Sequence, residues 1–167
     1  MQGIPRGSAQ LYDSLAIKYL EPSYNYVTQD IFKENMDRRV ILEIGCGTGV
    51  LLLEIAKNAN SAIIIGLDIS PAMIKISKRN IVEKSEFSKI DLLLADAHKM
   101  PFRPKSVDFI VSTGTLHHIR KPEVLFKEIT AVLSSHGEAW IYEFSHDISI
   151  RELRQSSKKV RQILDFN

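Results

Sequence analysis

Three glycines at every second position form the first candidate site of this sequence. In VILEIGCGTGVLLLEIA (40–56), Gly45, Gly47 and Gly49 separate an apolar run typical of a strand from a helix-prone run. Glycines in such a turn let the backbone approach a small ligand closely. The dinucleotide fingerprint needs its third glycine where this chain has Val50, and the Gly-Lys-Ser/Thr ending of a phosphate-binding loop is absent. The spacing predicts a ligand turn that matches neither phosphate binder.

Two aspartates follow the next two apolar runs and supply the chemistry of an adenosine site. Asp68 ends SAIIIGLD (61–68), where a carboxylate can accept two hydrogen bonds from ribose hydroxyls. Asp96 ends KIDLLLAD (89–96), where a carboxylate can accept a hydrogen bond from an adenine amino group, and the backbone N–H of Ala97 or His98 can donate to a ring nitrogen. A simpler interpretation is that each aspartate only caps the segment that follows it. With the glycine turn before them and no group placed for a phosphate, these acids favour an adenosine ligand without phosphates.

Paired histidines follow the fourth apolar run, in STGTLHHI (112–119). His117 and His118 could act as a base, bind a metal or only line the rim of the site. Adjacent residues on a strand or helix point in different directions, so we expect the two not to share one metal ion. No cysteine or second histidine cluster completes a ligand set, and we predict no metal site.

Short runs rich in Ile, Val and Leu predict five strands, at 39–45, 61–68, 89–96, 106–113 and 137–144. Runs that are apolar on both faces are typical of strands buried in a parallel sheet. Helical patterns separate them at 49–59, 70–84 and 121–135, and two prolines predict an irregular linker at 97–106.

Strands that alternate with helices predict a doubly wound α/β fold with a mainly parallel sheet of about five strands. Ser70 is the predicted N-cap of the second helix, and Pro71 its first residue. In such a fold ligands bind beyond the carboxyl ends of the strands. The glycine turn, both aspartates and the histidines all follow a predicted strand, so we expect them at one rim.

Composition narrows the class of protein. A chain of 167 residues suits one domain with a sizeable core. A net charge of +2 is too small to indicate nucleic acid as the main partner. One cysteine, Cys46, excludes an intrachain disulfide, and no apolar run approaches the length of a membrane span. We expect a soluble protein of the cytoplasm.

The ordered motifs resemble those of class I S-adenosylmethionine-dependent methyltransferases, most closely the group similar to the ubiquinone and menaquinone biosynthesis enzymes (methyltransferase type 11). LEIGCGTG resembles the first motif of that family, GLDISPAM the second, ADAHKMPF the third and VDFIVSTGTLHHI the fourth. The resemblance covers about residues 10 to 145. It implies S-adenosyl-L-methionine as cofactor, S-adenosyl-L-homocysteine as product, and methyl transfer as the reaction.

At the methionine end of the cofactor, the resemblance implies that Gly45, Cys46 and Gly47 pass their backbone along the ligand. Glu43 would support that turn, and Thr113 would lie near the methionine end.

At the nucleoside end, the resemblance places the ribose hydroxyls on Asp68 and the adenosine near Ile69 and Met73. Asp96 would accept from the adenine amino group, and the backbone of Ala97 would donate to the ring.

The resemblance also implies a lid and an acceptor side. Tyr12 and Tyr19, in LYDSLAIKY, would form part of a helical lid over residues 8–35. The core would span 36–145 and a last helix 146–167, all in one domain of residues 1–167. His117 and His118 are the candidate catalytic bases.

The family usually continues past the fifth strand into an antiparallel hairpin, which this chain lacks. An uncovered apolar strand invites pairing, so we expect that the last helix folds over it, that a second copy covers the open sheet edge in a homodimer, or that the sequence is a fragment. A small-molecule acceptor is the favoured partner. Methylation of RNA or protein is the alternative, because the segment 151–161 is basic. A module that binds the cofactor without turnover is the third hypothesis.

Overall fold

Helices and strands alternate in the computed structural model, which describes residues 21–33, 38–59, 61–84 and 90–143. The helices are α1 (Glu21–Ile31), α2 (Val50–Asn58), α3 (Pro71–Lys84) and α4 (Pro122–Val132). The strands are β1 (Val40–Ile44), β2 (Ile63–Asp68), β3 (Ile90–Leu94), β4 (Val107–Thr113) and β5 (Leu133–Tyr142), and a 3₁₀ turn spans Leu116–His118. The five predicted strands and the three helices predicted between them therefore exist, and 97–106 contains no helix or strand, as the prolines indicated.

The five strands form one parallel sheet in the order β3-β2-β1-β4-β5. The chain winds outward from β1 to β3, returns to β4 on the other side of β1, and continues to β5. Strand order thus reverses between β1 and β4, and ligands of open α/β sheets bind at that reversal. Glu43 of β1 is level with Gly66 of β2 and Val111 of β4, so the three strands end close together. The predicted fold class is confirmed.

Alternate residues of the strands pack into two separate hydrophobic cores, one on each face of the sheet. Ile41 packs with α1 and α2, in a cluster that includes Leu52, Ile55 and Phe109. Leu42 packs on the other face, in a cluster that α4 completes. Burial on both faces explains why the strands read as continuous apolar runs.

The junction of α4 and β5 differs from the prediction. The helix was expected to reach residue 135, but it ends at Val132 and the strand begins at Leu133. Leu133 pairs with Val107, and regular pairing then resumes only at Glu138 opposite Phe109. The residues between these two pairs are extra on β5. The spacing of apolar residues in the sequence does not predict such an irregularity in strand pairing. The stretch from Glu138 to Tyr142 agrees with the predicted strand.

Helix α1 has Pro22 as its second residue, and proline is tolerated in the first turn of a helix. A buried arginine joins this helix to the sheet. Arg38 donates to the carbonyl of Ile31 at the end of α1, and its guanidinium carbon lies 4.0 Å from the ring centre of Phe109. The Tyr142 hydroxyl also donates to Asp30 at 2.8 Å.

Several predicted features lie outside the described residues. They are Tyr12, Tyr19, most of the proposed lid and the C-terminal helix, so the division of the chain stays a prediction. Within the described ranges, no helix has the length and apolar character that crossing a membrane requires.

Candidate functional site

The turn after β1 adopts a backbone that favours glycine at three positions. Gly45, Gly47 and Gly49 have φ angles of 74°, 52° and 79°, in the left-handed region. The N–H groups of Gly45 and Cys46 both donate to the carbonyl of Leu67, at 2.7 and 3.0 Å. The turn is thereby held against the end of β2, with its other face toward the rim of the sheet.

The three glycines differ in what surrounds them. A Cβ on Gly45 would lie 2.3 Å from Oγ1 of Thr115, and one on Gly49 would lie 2.2 Å from Oγ of Ser77. A Cβ on Gly47 would meet no atom of the described chain within 4 Å. Two glycines are therefore required by packing, whereas Gly47 borders open space. This open face fits a ligand that runs along the backbone, as expected for the methionine part of the cofactor.

Asp68 ties the glycine turn to the start of α3. One of its carboxylate oxygens accepts from the N–H of Gly47 at 2.9 Å, and the other accepts from the N–H of Ser70 at 2.8 Å. Burial raises the pKa of Asp68, and the hydrogen bonds from Ser70 and Gly47 oppose that shift. Each carboxylate oxygen has a second lone pair, so the residue keeps the capacity to accept from two ribose hydroxyls.

Two titratable groups lie buried beneath the turn. Glu43 is 2% exposed, and its Oε2 accepts no hydrogen bond from the described residues. Burial raises the pKa of Glu43 well above its usual value, and the negative charge of Asp68 adds to this shift. Burial likewise raises the pKa of the Cys46 thiol, followed by the charges of Glu43 and Asp68. Cys46 is therefore a protonated, unreactive side chain that packs the turn.

The acid after β3 is held by His98, whose contact with Asp96 was not predicted from the sequence. Oδ1 of Asp96 accepts from the backbone N–H of His98 at 2.9 Å and lies 2.7 Å from its Nδ1. These interactions lower the pKa of Asp96, with the backbone hydrogen bond as the largest cause. No described residue bonds to Oδ2, which stays available to an adenine amino group. Ala97 is fully buried.

The predicted adenosine contacts lie at the start of α3. Ser70 caps the helix as predicted, because its Oγ accepts from the N–H of Met73 at 3.4 Å. Met73 is 1% exposed and packs with Ile76, whereas Ile69 is partly exposed on the rim. Ile69 therefore faces the ligand side more directly than Met73 does.

On the other side of the glycine turn, the chain after β4 packs directly onto it. Thr113 ends the strand, Gly114 has a φ of 56°, and Thr115 then lies against Gly45. The N–H of His118 donates to the carbonyl of Thr115 at 2.9 Å and closes the 3₁₀ turn. Thr115 thus packs the segment that carries Thr113 and the paired histidines against the glycine turn.

The two histidines lie side by side, contrary to the expectation that they point in different directions. Their ring centres are 4.0 Å apart. Nδ1 of His117 lies 2.8 Å from Oε2 of Glu143. Partial burial lowers the pKa of His118, the charge of His117 adds to this, and Glu143 opposes it. Among the described residues, no three His, Cys, Asp or Glu side chains form a metal-binding group.

Sequence reasoning missed three residues of this site, namely Ser77, Thr115 and Glu143, and it missed the contact of His98 with Asp96. His98 and Thr115 stand within motifs that were recognised, but their roles depend on which way a loop folds. Glu143 had a usable signal, since it is a polar residue at the end of the fifth apolar run. The acids at the ends of β2 and β3 were proposed as ligand-binding residues because each of them ends an apolar run.

A parallel sheet with this strand order, a glycine turn after β1 and an acid after β2 defines a class of protein. It is the Rossmann-like fold of the class I S-adenosylmethionine-dependent methyltransferases. The family model described as "Methyltransferase domain" matches residues 42–141, and the chain belongs to that family. The predicted class and the predicted cofactor, S-adenosylmethionine, are therefore confirmed at the level of the family.

Proteins with similar sequences include some that are named for biosynthesis. A biotin biosynthesis bifunctional protein of Cellvibrio japonicus is 30% identical over 96% of this chain and 30% of its own length. A ubiquinone/menaquinone biosynthesis C-methyltransferase of Geotalea daltonii is 31% identical over 63% of this chain and 45% of its own length. The chain therefore spans less than half of each relative.

The fold itself recurs in a solved structure. A putative S-adenosyl-L-methionine-dependent methyltransferase of Methanococcus maripaludis superposes with a TM-score of 0.82, at 23% identity, over 99% of this chain and 75% of that one.

Proposed function

We propose that this domain transfers the methyl group of S-adenosylmethionine to a small molecule and releases S-adenosylhomocysteine. The observation that carries the proposal is the position of the Asp68 carboxylate. It is bonded to the N–H of Gly47, beside the open face of the glycine turn. A ligand on that face meets both the backbone of the turn and the carboxylate. Its sugar hydroxyls are the natural donors to the remaining lone pairs of Asp68.

Each half of the cofactor has candidate partners in this chain. The backbone from Gly45 to Gly47 would line the methionine part, with Thr113 at its end and Glu43 beneath the turn. Ile69 and Met73 would pack near the adenosine, while Oδ2 of Asp96 and the N–H of Ala97 would bind the adenine. Tyr12 and Tyr19 of the proposed lid remain assigned by the family resemblance alone.

When bound, the cofactor supplies a methyl group on a positively charged sulfur, and its departure leaves a neutral thioether. The leaving group therefore needs no acid. The contribution of this chain is to align the acceptor with the methyl group and to exclude water. A base is required where the acceptor is a hydroxyl or a protonated amine, and His117 and His118 are the candidates.

Three observations support a small acceptor in the cytoplasm. One relative is named for ubiquinone and menaquinone biosynthesis and another for biotin biosynthesis. The net charge of +2 gives little attraction to a polyanion. The only cysteine is a buried, free thiol, which suits a reducing compartment. A homodimer that covers β5, the last strand of the described sheet, is the proposed assembly.

Calorimetric titration with S-adenosylmethionine, S-adenosylhomocysteine and NAD tests the cofactor. We expect both adenosyl ligands to bind and NAD to give no heat of binding. Tight binding of NAD alone would reject the proposal.

Incubation of cell extracts with tritium-labelled S-adenosylmethionine then tests the acceptor, and we expect the label in the small-molecule fraction. Label found only in RNA or protein would contradict the proposed acceptor.

A further inference from the structure

His117 and Glu143 come together from two different strand ends. Nδ1 of His117 lies 2.8 Å from Oε2 of Glu143, and Oε1 of the same carboxylate accepts from the N–H of Leu116 at 2.5 Å. Both carboxylate oxygens are therefore used, and the bond to Leu116 holds Glu143 in place. We call His117 and Glu143 the dyad.

The dyad decides which nitrogen of His117 carries the proton. An ionised carboxylate only accepts hydrogen bonds, so Nδ1 of His117 must be the donor to Glu143. In the neutral ring the other nitrogen, Nε2, then has no proton and is a free base. His117 is partly exposed, with 42% of its side chain accessible, so a molecule at the rim can reach this nitrogen.

The dyad also lies next to the reacting end of the proposed cofactor site. Thr115, two residues before His117, packs onto Gly45 so closely that a Cβ there would lie 2.3 Å from its Oγ1. The turn from Gly45 to Gly47 is where the methionine part of the cofactor is proposed to run. His117 is thus two residues away in the chain from a direct packing contact with that turn.

We propose that Glu143 is a positioning residue that keeps His117 ready to take a proton from the acceptor, and that the acceptor is therefore a hydroxyl or a protonated amine. This inference rests on the proposed methyltransferase function. The lone pair of a hydroxyl oxygen, or the pair left on nitrogen when the protonated amine loses its proton, forms the new bond to the methyl carbon. The carbon–sulfur bond breaks and leaves its electron pair on sulfur. The acceptor proton goes to Nε2 of His117, and the imidazolium keeps its Nδ1 hydrogen bond to Glu143.

The tautomer of His117 tests the dyad without any cofactor or acceptor. Nitrogen-15 spectra of the free protein, at a pH where the rings are neutral, distinguish a protonated Nδ1 from a protonated Nε2. We expect the Nδ1–H form in the wild type and a mixture in Glu143→Gln, whose amide can also donate. His136, exposed on β5, is the internal reference, and Glu123→Gln on α4 is the matched control for loss of a carboxylate. An Nε2–H or mixed His117 in the wild type would overturn the dyad.

Turnover and product chemistry test the acceptor class. With the extract fraction that accepts the label, Glu143→Gln should lower the rate of methyl transfer about tenfold or more, while cofactor affinity by calorimetry stays unchanged. Equal losses of rate and of cofactor affinity would overturn the positioning role. Mass spectrometry of the product should find the label on oxygen or nitrogen. Label on carbon or sulfur would overturn the acceptor class.

If the proposed methyltransferase function itself is wrong, the experiments will give a different result. Absence of S-adenosylmethionine binding to the wild-type protein would remove the methyl transfer and the acceptor class together. The tautomer of His117 would still report on the dyad itself.

Discussion

The rim of the sheet has two halves that are built differently. The cofactor half comprises the turn 45–49 with Asp68 and Asp96, and the acceptor half comprises residues 113–118 with Glu143. In the cofactor half, backbone groups bond to one another and to buried or half-buried carboxylates, as in the pair of N–H groups on the Leu67 carbonyl. In the acceptor half, exposed side chains bond to each other, as in the pair of His117 and Glu143.

From this difference we propose that the cofactor half determines stability and cofactor affinity, and that the acceptor half determines the acceptor chemistry. A backbone turn that needs positive φ angles has few alternatives, so changes in the cofactor half should be costly. Exposed side chains can be replaced with little effect on the fold. We therefore expect substitutions in the cofactor half to have larger effects on stability and cofactor affinity than substitutions in the acceptor half.

The largest effect is expected from Gly45→Ala. The new methyl group would overlap Thr115 at a left-handed backbone position. Left-handed strain costs about 1–2 kcal/mol and overpacking about 1–3 kcal/mol. We therefore expect the free energy of unfolding to fall by about 2–5 kcal/mol, as urea denaturation would measure.

Gly47→Ala is the matched control. Its Cβ meets nothing within 4 Å, so only the strain of about 1–2 kcal/mol applies to folding. Calorimetry should instead show weaker S-adenosylmethionine binding, because the methyl group projects into the proposed ligand space. Equal destabilisation by the two substitutions would show that the open face of Gly47 has no special role.

Asp68→Ala should have the next largest effect. Charge-assisted hydrogen bonds to one carboxylate are worth about 1.5–3 kcal/mol, so S-adenosylmethionine binding should weaken at least about tenfold. The N–H groups of Gly47 and Ser70 also lose their acceptor. Asp91→Ala, on the neighbouring strand β3 and exposed, is the control. Calorimetry that finds unchanged affinity in Asp68→Ala would exclude the ribose contact.

The contrast between the halves also explains what the sequence could predict. The parallel sheet followed from apolar runs, since strands buried on both faces leave a strong local pattern. Gly45, Asp68 and Asp96 were found because their positions depend on where a strand ends, which is local information. The partnership of His117 with Glu143 joins residues 26 apart. No local spacing encodes it, and it depends on how β5 lies beside β4.

Glu43→Gln tests the buried charge of the cofactor half through pH. Burial raises the pKa of Glu43, so the folded state keeps a proton that the unfolded chain loses above the usual value of 4.5. The folded state therefore binds more protons in this window, and the free energy of unfolding should fall as pH rises through it.

Glutamine carries no titratable proton, so Glu43→Gln should reduce that slope. Asp68, whose pKa is raised as well, would keep a part of it. Urea denaturation from about pH 5 to about pH 8 measures the slope for both proteins. An equally steep fall in the wild type and the variant would mean that Glu43 is not the group responsible.

The smallest effect on cofactor affinity is expected in the acceptor half. His117 and His118 are exposed, and neither ring hydrogen-bonds to the turn 45–49 in the described structure. His117→Ala and His118→Ala should each leave S-adenosylmethionine affinity within about twofold of the wild type by calorimetry.

Methyl transfer should nevertheless fall about a hundredfold in His117→Ala, the usual contribution of a general base. His118 makes no bond to Glu143, so its loss should matter less. A large loss of cofactor affinity in either variant would place that histidine in the cofactor half and end the division of the rim.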